Sequence, residues 1–191
     1  MNETKSILLV GVGGQGIILV SRVLTKGLVE AGYDVKMSEV HGMAQRGGSV
    51  STQVRYGEKV HSPIIGRGGA DALVAFEKME ALRYAQYLKP SGVVLVNDYE
   101  LAPMPVASGS AEYPKGILEA MSGSFDTRVV KAAEIAISLG NAKCMNVVLL
   151  GAMAKTLSLP AANWEALIMG ELPQKLHELN LTAFRAGFAA L

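Results

Sequence analysis

Cysteine occurs once, at Cys144, in a chain of 191 residues. A single thiol excludes an intramolecular disulfide. It also excludes a self-contained iron–sulfur cluster, which takes about four thiolates. Histidine is confined to His41, His61 and His177, too far apart in sequence for the usual metal-ligand spacings. Any redox centre serving this chain is therefore expected elsewhere. Charge is scarce as well: Asp, Glu, Lys and Arg make up 18% of the residues, against roughly 25% in an average soluble domain. The formal net charge is +1 and the basic residues never form a run, so neither nucleic acid nor an anionic lipid surface is an expected partner. Long apolar stretches are missing too. Ile7–Val12 and Val147–Ala154 stop far short of the ~20 residues that cross a bilayer. The opening Met1-Asn2-Glu3-Thr4-Lys5-Ser6 mixes acid with base and does not read as a signal peptide. The expectation is a cytoplasmic protein without a membrane segment.

What is plentiful is apolar surface, 50% of the residues. The length suits one α/β domain, 1–191, with a substantial core. So little charge on so apolar a chain predicts a surface kept for a partner, and self-association, as a homodimer, when the chain is isolated.

Periodicity predicts a three-layer α/β/α, Rossmann-like fold: a mostly parallel sheet with a β-hairpin and a helical C-terminal region. Ser6–Val10 reads as a buried strand, Gln15–Ala31 as a helix closed by Gly32, and Asp34–Val40 as a second strand. Ser49–Tyr56 alternates, with Val50, Thr52, Val54 and Tyr56 on one face. Gly57-Glu58 then turns towards Lys59–His61, which predicts the hairpin there. Strands follow at Asp71–Phe76, Val93–Asn97 and Thr127–Lys131. Helices are predicted at Lys78–Leu88, Lys115–Met121, Ala132–Leu139, Ala142–Leu157, Asn163–Met169 and Pro173–Ala189. Lys89-Pro90-Ser91-Gly92 reads as a turn, and Leu101–Pro114 as irregular.

Two segments carry chemistry. Gly11-Val12-Gly13-Gly14-Gln15-Gly16 fits G-x-G-x-x-G after a strand and before a helix, where backbone N–H groups and the helix dipole favour an anion. Glu39 ends the second strand about 20 residues further on, near the position of a ribose-binding acid. Dinucleotide binding, another anion or a partner, and plain strand–helix packing all remain open on these residues. The second segment is Ser38-Glu39-Val40-His41-Gly42-Met43-Ala44-Gln45-Arg46-Gly47-Gly48-Ser49. Glu39, His41, Gln45 and Arg46 stand among Gly42, Gly47 and Gly48 just after a strand, which should put them on the same rim as the glycine loop. Arg46 has the fork that clamps carboxylate or phosphate, and His41 can move a proton near neutral pH. A plain solvated loop is the alternative.

The two segments together, Gly11 to Ile17 and Ser38 to Ser49, resemble the gamma-type domain of the 2-oxoacid:ferredoxin oxidoreductases, and within that family the beta subunit of the indolepyruvate type. The likeness runs through Ser62-Pro63, Ala70–Val74, Glu80–Arg83, Leu88–Gly92 and Val96-Asn97, and closes with Asn146, Gly151, Asn180, Ala183-Phe184 and Gly187. The resemblance implies a large partner subunit holding thiamine diphosphate, Mg and iron–sulfur clusters. That partner would decarboxylate a 2-oxoacid such as an aryl pyruvate, pass electrons to ferredoxin and yield an acyl-CoA. The small subunit would close the site, help to hold coenzyme A and bind no cofactor alone. The chain has no Gly-Asp-Gly followed by paired asparagines, the usual thiamine diphosphate segment, which agrees with that division.

On this view Gly11, Gly13, Gly14, Gln15, Gly16 and Arg46 meet anionic parts of coenzyme A. Glu39, His41, Gly42, Gln45, Gly47, Gly48 and Ser49 then order an interface loop, and no residue of this chain carries a chemical step. The rivals are the same role in a pyruvate, 2-oxoglutarate or branched 2-oxoacid enzyme, a free-standing NAD-dependent oxidoreductase, and a non-catalytic module with a remnant nucleotide fold. Cys144 reads as a small buried hydrophobe and Trp164 as a packing anchor. His61, His177, Lys26, Lys36 and Lys155 read as ordinary surface or packing residues.

Overall fold

The computed structural model describes residues 4–40 and 47–191. A six-stranded sheet runs in the order β2-β3-β1-β4-β5-β6, formed by β1 (Lys5–Val12), β2 (Asp34–Val40), β3 (Ser49–Gly57), β4 (Ala70–Ala75), β5 (Leu88–Asn97) and β6 (Asp126–Val130). β1, β4, β5 and β6 are mutually parallel. β3 runs against both its neighbours, β1 and β2. The helix α1 (Ile17–Glu30) carries the chain from β1 past one strand position to β2, and β3 returns through the gap.

The antiparallel partners of β3 are therefore β2 and β1, and no hairpin forms at Gly57-Glu58 as the alternation suggests. With β3 already paired on both edges, no free hydrogen-bonding side remains for a strand at Lys59–His61. Residues 58–69 instead form a strap over the outer face of β3. Asp34 accepts from the Val60 amide at 2.8 Å, Gln53 accepts from the Ile65 amide, and the Arg55 guanidinium donates to the Ser62 carbonyl at 3.0 Å. Lys89–Gly92 is another correction. These residues belong to β5, where the register with β4 slips between Ala70 and Ala72, and the predicted turn is a bulge inside a strand.

β1 is buried along seven of its eight residues, as a central strand covered on both faces must be. On one face Ile7, Leu9, Val54, Val74 and Leu95 meet α1 and the long helix α6 (Met145–Thr156). On the other, Leu8, Val10, Leu73 and Val94 meet Ala81 of α2 (Lys78–Tyr84) and Met121 of α4 (Ile117–Ser124). A short α3 (Met104–Ala107) interrupts the proline-rich segment that was expected to be irregular. Gly27 gives α1 room for the Trp164 indole, since a Cβ there would lie 2.3 Å from the ring. Cys144 is buried in the first core, which pushes its thiol pKa up.

The C-terminal region consists of α5 (Ala132–Ser138), α6, α7 (Trp164–Glu171) and α8 (His177–Ala189). α6 is apolar on every side, buried without a break from Asn146 to Ala154, the mark of a helix enclosed by others. It crosses α8 backbone to backbone. A Cβ on Gly151 would stand 2.0 Å from the Phe184 carbonyl oxygen, and one on Gly187 1.8 Å from that of Val148. Replacing Gly187 with Ala must push the two helices apart, and should cost about 3 kcal/mol or more in a urea melt. A loss under about 1 kcal/mol would mean the crossing is looser than described.

Candidate functional site

The carboxyl ends of β1 and β4 point to one rim, and β3 starts there because it runs backwards, Val12 pairing with Ser49. Chain direction diverges at this place, β1 leading to strands on one side and β4 to strands on the other, which is where open α/β sheets leave a crevice. The two segments singled out in the sequence meet on it. Gly13 donates its amide to the Gly48 carbonyl at 2.8 Å, and Gly47 donates to the Gly13 carbonyl at 3.1 Å. His41, Gly42, Gln45 and Arg46 lie outside the described residues.

The glycine loop is held from beneath by Gln15. Its carboxamide oxygen accepts from the Val12 amide at 2.7 Å, and its nitrogen donates to the Phe76 carbonyl at 3.1 Å. Gln15 thus supports the loop's backbone, where the sequence offered it as a ligand group. A Cβ at Gly11 would meet Gln15 at 2.6 Å and Phe76 at 2.8 Å, so the side chain can tuck in only because Gly11 has none. Gly14 and Gly16 have φ of 103° and 79°, a conformation that L side chains rarely adopt. Gly16 begins α1, and its carbonyl accepts from Asn146 at 3.3 Å.

A hollow opens on each side of the loop. One, of about 300 Å³, is lined by the loop, Ile17, Ile18 and Val50–Thr52. The other, of about 500 Å³, lies between the loop, Tyr99, Leu101, the turn residues Ala142 and Lys143, and Met145 and Asn146 at the start of α6. Its lining combines apolar Leu101, Ala142 and Met145 with the polar residues Gln15, Tyr99, Lys143 and Asn146. Such a set can bind and orient an anionic or polar ligand.

Glu39 is placed differently from a ribose-binding acid. β3 stands between β2 and β1, so Glu39 is two strand spacings, about 10 Å, from β1. Its carboxylate accepts from the Ser21 hydroxyl on α1 at 3.4 Å. The dinucleotide arrangement, with the acid on a strand next to β1, is not formed.

Ser49 faces the opposite side of the sheet and donates to the Glu80 carboxylate at 2.5 Å, with the Tyr84 hydroxyl 3.4 Å away. Glu80 and Glu77, one turn apart at the start of α2, are 4% and 1% exposed. Glu77 caps α2 by accepting from the Glu80 amide at 3.0 Å, and its other oxygen takes the Leu101 amide at 3.3 Å and the Tyr113 hydroxyl. Burial, with Glu77 as hydrogen-bond partner, pushes the Tyr113 phenol up. Asn97 is fully buried. It donates to the Phe76 carbonyl at 3.2 Å and accepts from Ala132 at the start of α5 at 3.0 Å.

Sequence reading passed over Glu77, Glu80, Asn97, Lys143 and Asn146 as site residues. Asn146 carries a readable signal, a carboxamide inside an apolar helix, but the two glutamates look like an ordinary helix start. Among the described residues no three His, Cys, Asp or Glu gather as a metal site, and the lone buried cysteine does not suit an iron–sulfur cluster. No helix among them is long and apolar enough to cross a membrane.

Residues 6–190 match the model of the pyruvate ferredoxin/flavodoxin oxidoreductase family, and the chain belongs to that family. The indolepyruvate oxidoreductase subunit IorB of Thermococcus kodakarensis is 38% identical over 193 residues, 97% of this chain and 95% of that protein. The gamma subunit of a keto/oxoacid ferredoxin oxidoreductase from Geobacter sulfurreducens has the same fold, with a TM-score of 0.74, 25% identity, and coverage of 98% of this chain and 96% of that one. The 2-oxoglutarate:ferredoxin oxidoreductase of Magnetococcus marinus, solved with 2-oxoglutarate, coenzyme A and succinyl-CoA bound, contains the fold as 31% of its chain, at 18% identity and a TM-score of 0.76 over all of this one. The resemblance read from the two motifs thus extends over the whole domain.

Two outcomes are expected. Gln15→Ala strands the Val12 amide and should lower stability by about 2 kcal/mol in denaturant melts; no change would mean water replaces the carboxamide. Glu80 supplies the second. Burial pushes its carboxyl up, and the Glu77 charge adds to this, while the Ser49 hydrogen bond and the Arg83 charge pull it down. A raised folded value makes its contribution complete below the unfolded carboxylate pKa and lost as pH rises through the folded one. Glu80→Gln should therefore gain on the wild type as pH rises from about 4 to 7, and a flat difference between the two urea melts would refute it.

Proposed function

We propose that the chain is the small subunit of a 2-oxoacid:ferredoxin oxidoreductase of the indolepyruvate type, supporting the coenzyme A-dependent oxidative decarboxylation of indolepyruvate or another aryl pyruvate. The observation that carries the reading is the end-to-end likeness to the indolepyruvate oxidoreductase subunit. The site agrees with it. The glycine loop, Lys143 and Asn146 form a binding wall, with no nucleophile poised beside a general base among the described lining residues.

In this reading a large partner holds thiamine diphosphate, Mg and the iron–sulfur clusters, and the thiamine supplies the carbanion chemistry when bound. What this chain contributes is positioning. The backbone amides of Gly14 and Gly16 and the Lys143 ammonium would face phosphate oxygens of coenzyme A, joined by Arg46. Leu101 and Tyr99 would shield the thiol end from water.

Two measurements test this. Viologen reduction that depends on indolepyruvate and coenzyme A should appear only when the large subunit is co-expressed with this chain, and equal activity of the large subunit alone would refute the subunit role. In that complex Arg46→Ala should raise the apparent KM for coenzyme A about tenfold or more; unchanged coenzyme A kinetics would remove Arg46 from the site.

A further inference from the structure

Two carboxylates buried one turn apart on a seven-residue helix are an expensive arrangement. Each must be desolvated, each repels the other, and Arg83 reaches only Glu80, at 3.2 Å. Well-packed apolar residues would hold α2 against the sheet as well or better. The hydrogen bonds show what the two acids are for. Neither is spent on its own helix alone, and each reaches out to a segment that borders the glycine loop. Glu80 takes the Ser49 hydroxyl, and Ser49 opens β3 directly after Gly47 and Gly48, the residues bonded in both directions to Gly13. Glu77 takes the Leu101 amide and the Tyr113 hydroxyl, and Leu101 lines the larger hollow opposite that same loop.

We propose that Glu80 is a positioning residue of the glycine-loop site. Through Ser49 it fixes where the Gly47–Gly48 segment meets Gly13, while Glu77 fixes the opposite wall at Leu101, so α2 sets the width of the mouth between them. The inference rests on the reading of the glycine loop as a binding site. The latch acts through its partner's hydroxyl, which predicts a specific pattern of variants. Ser49→Ala and Glu80→Leu break it. Glu80→Gln keeps an acceptor for Ser49 and turns its amino group towards the half-exposed Arg83, which can swing into solvent.

Amide hydrogen exchange on the full chain tests the latch without any turnover. Exchange at Gly13 and Gly47 should quicken about tenfold in Ser49→Ala and Glu80→Leu, return to the wild-type rate in Glu80→Gln, and leave the amides of Ala72–Ala75 in β4 unchanged. Unaltered exchange at Gly13 and Gly47 in Ser49→Ala would overturn the proposal. So would quickening spread evenly into β4, which marks general destabilisation. In the complex with the large subunit, Ser49→Ala should raise the KM for coenzyme A severalfold with kcat nearly unchanged, and Glu80→Gln should not. Local exchange that responds without any change in coenzyme A kinetics would leave the latch standing and count against the glycine loop as the coenzyme A site.

Discussion

The Phe76 carbonyl accepts two carboxamide protons, one from Gln15 and one from Asn97. It lies just past the end of β4, and the two donors belong to the turn after β1 and the end of β5. One oxygen therefore ties together the carboxyl ends of three adjacent strands. Asn97 extends the tie to α5 through the Ala132 amide, and Gln15 extends it upward into the glycine loop through the Val12 amide. A buried carbonyl with only one partner would lose part of this stabilisation, and a buried carboxamide with none would cost more. The crevice is built on this knot, because Gln15 is the one polar side chain of the loop that forms its centre.

Around that knot the fold separates support from contact. Groups underneath are engaged: Gln15 and Asn97 bond backbone, Glu77 bonds backbone and the Tyr113 hydroxyl, and Glu80 bonds Ser49 and Arg83. Residues lining the hollows are the glycine loop, in which the Gly14 and Gly16 amides are the donors left for a ligand, with Lys143, Asn146 and apolar edges. Preorganised donors of this kind bind anions well because the protein has already met the cost of orienting them. They cannot break a carbon–carbon bond, which is consistent with a subunit that completes a site begun by another chain. Exposed Ile18, Val40, Leu101 and Met104 add apolar surface near the same end of the sheet, in keeping with the shortage of charge in the sequence.

Insertion of β3 between β2 and β1 changes the meaning of a familiar motif. A glycine loop followed by an acid on the next strand ordinarily places that acid beside the loop. Here the acid is displaced by a full strand and turned to Ser21. The motif kept its local conformation and lost its ribose partner because sheet order, a non-local property, moved.

The sequence by itself determined the strand and helix periods, the glycine loop with its positive-φ positions, the buried fate of Cys144 and the family. Each of these depends on residues close in the chain or on a pattern of residue types. It also placed Glu39 and Ser49 on strands that reach the rim. Only the tertiary structure decided that β3 pairs with β2 and β1, that Lys89–Gly92 bulges within a strand, and that Gln15 supports the loop from below. It alone showed that Glu77 and Glu80 hold loops far away in sequence. These are pairings across tens of residues, set by which edges remain free and which polar atoms burial leaves without water, and no local pattern encodes them.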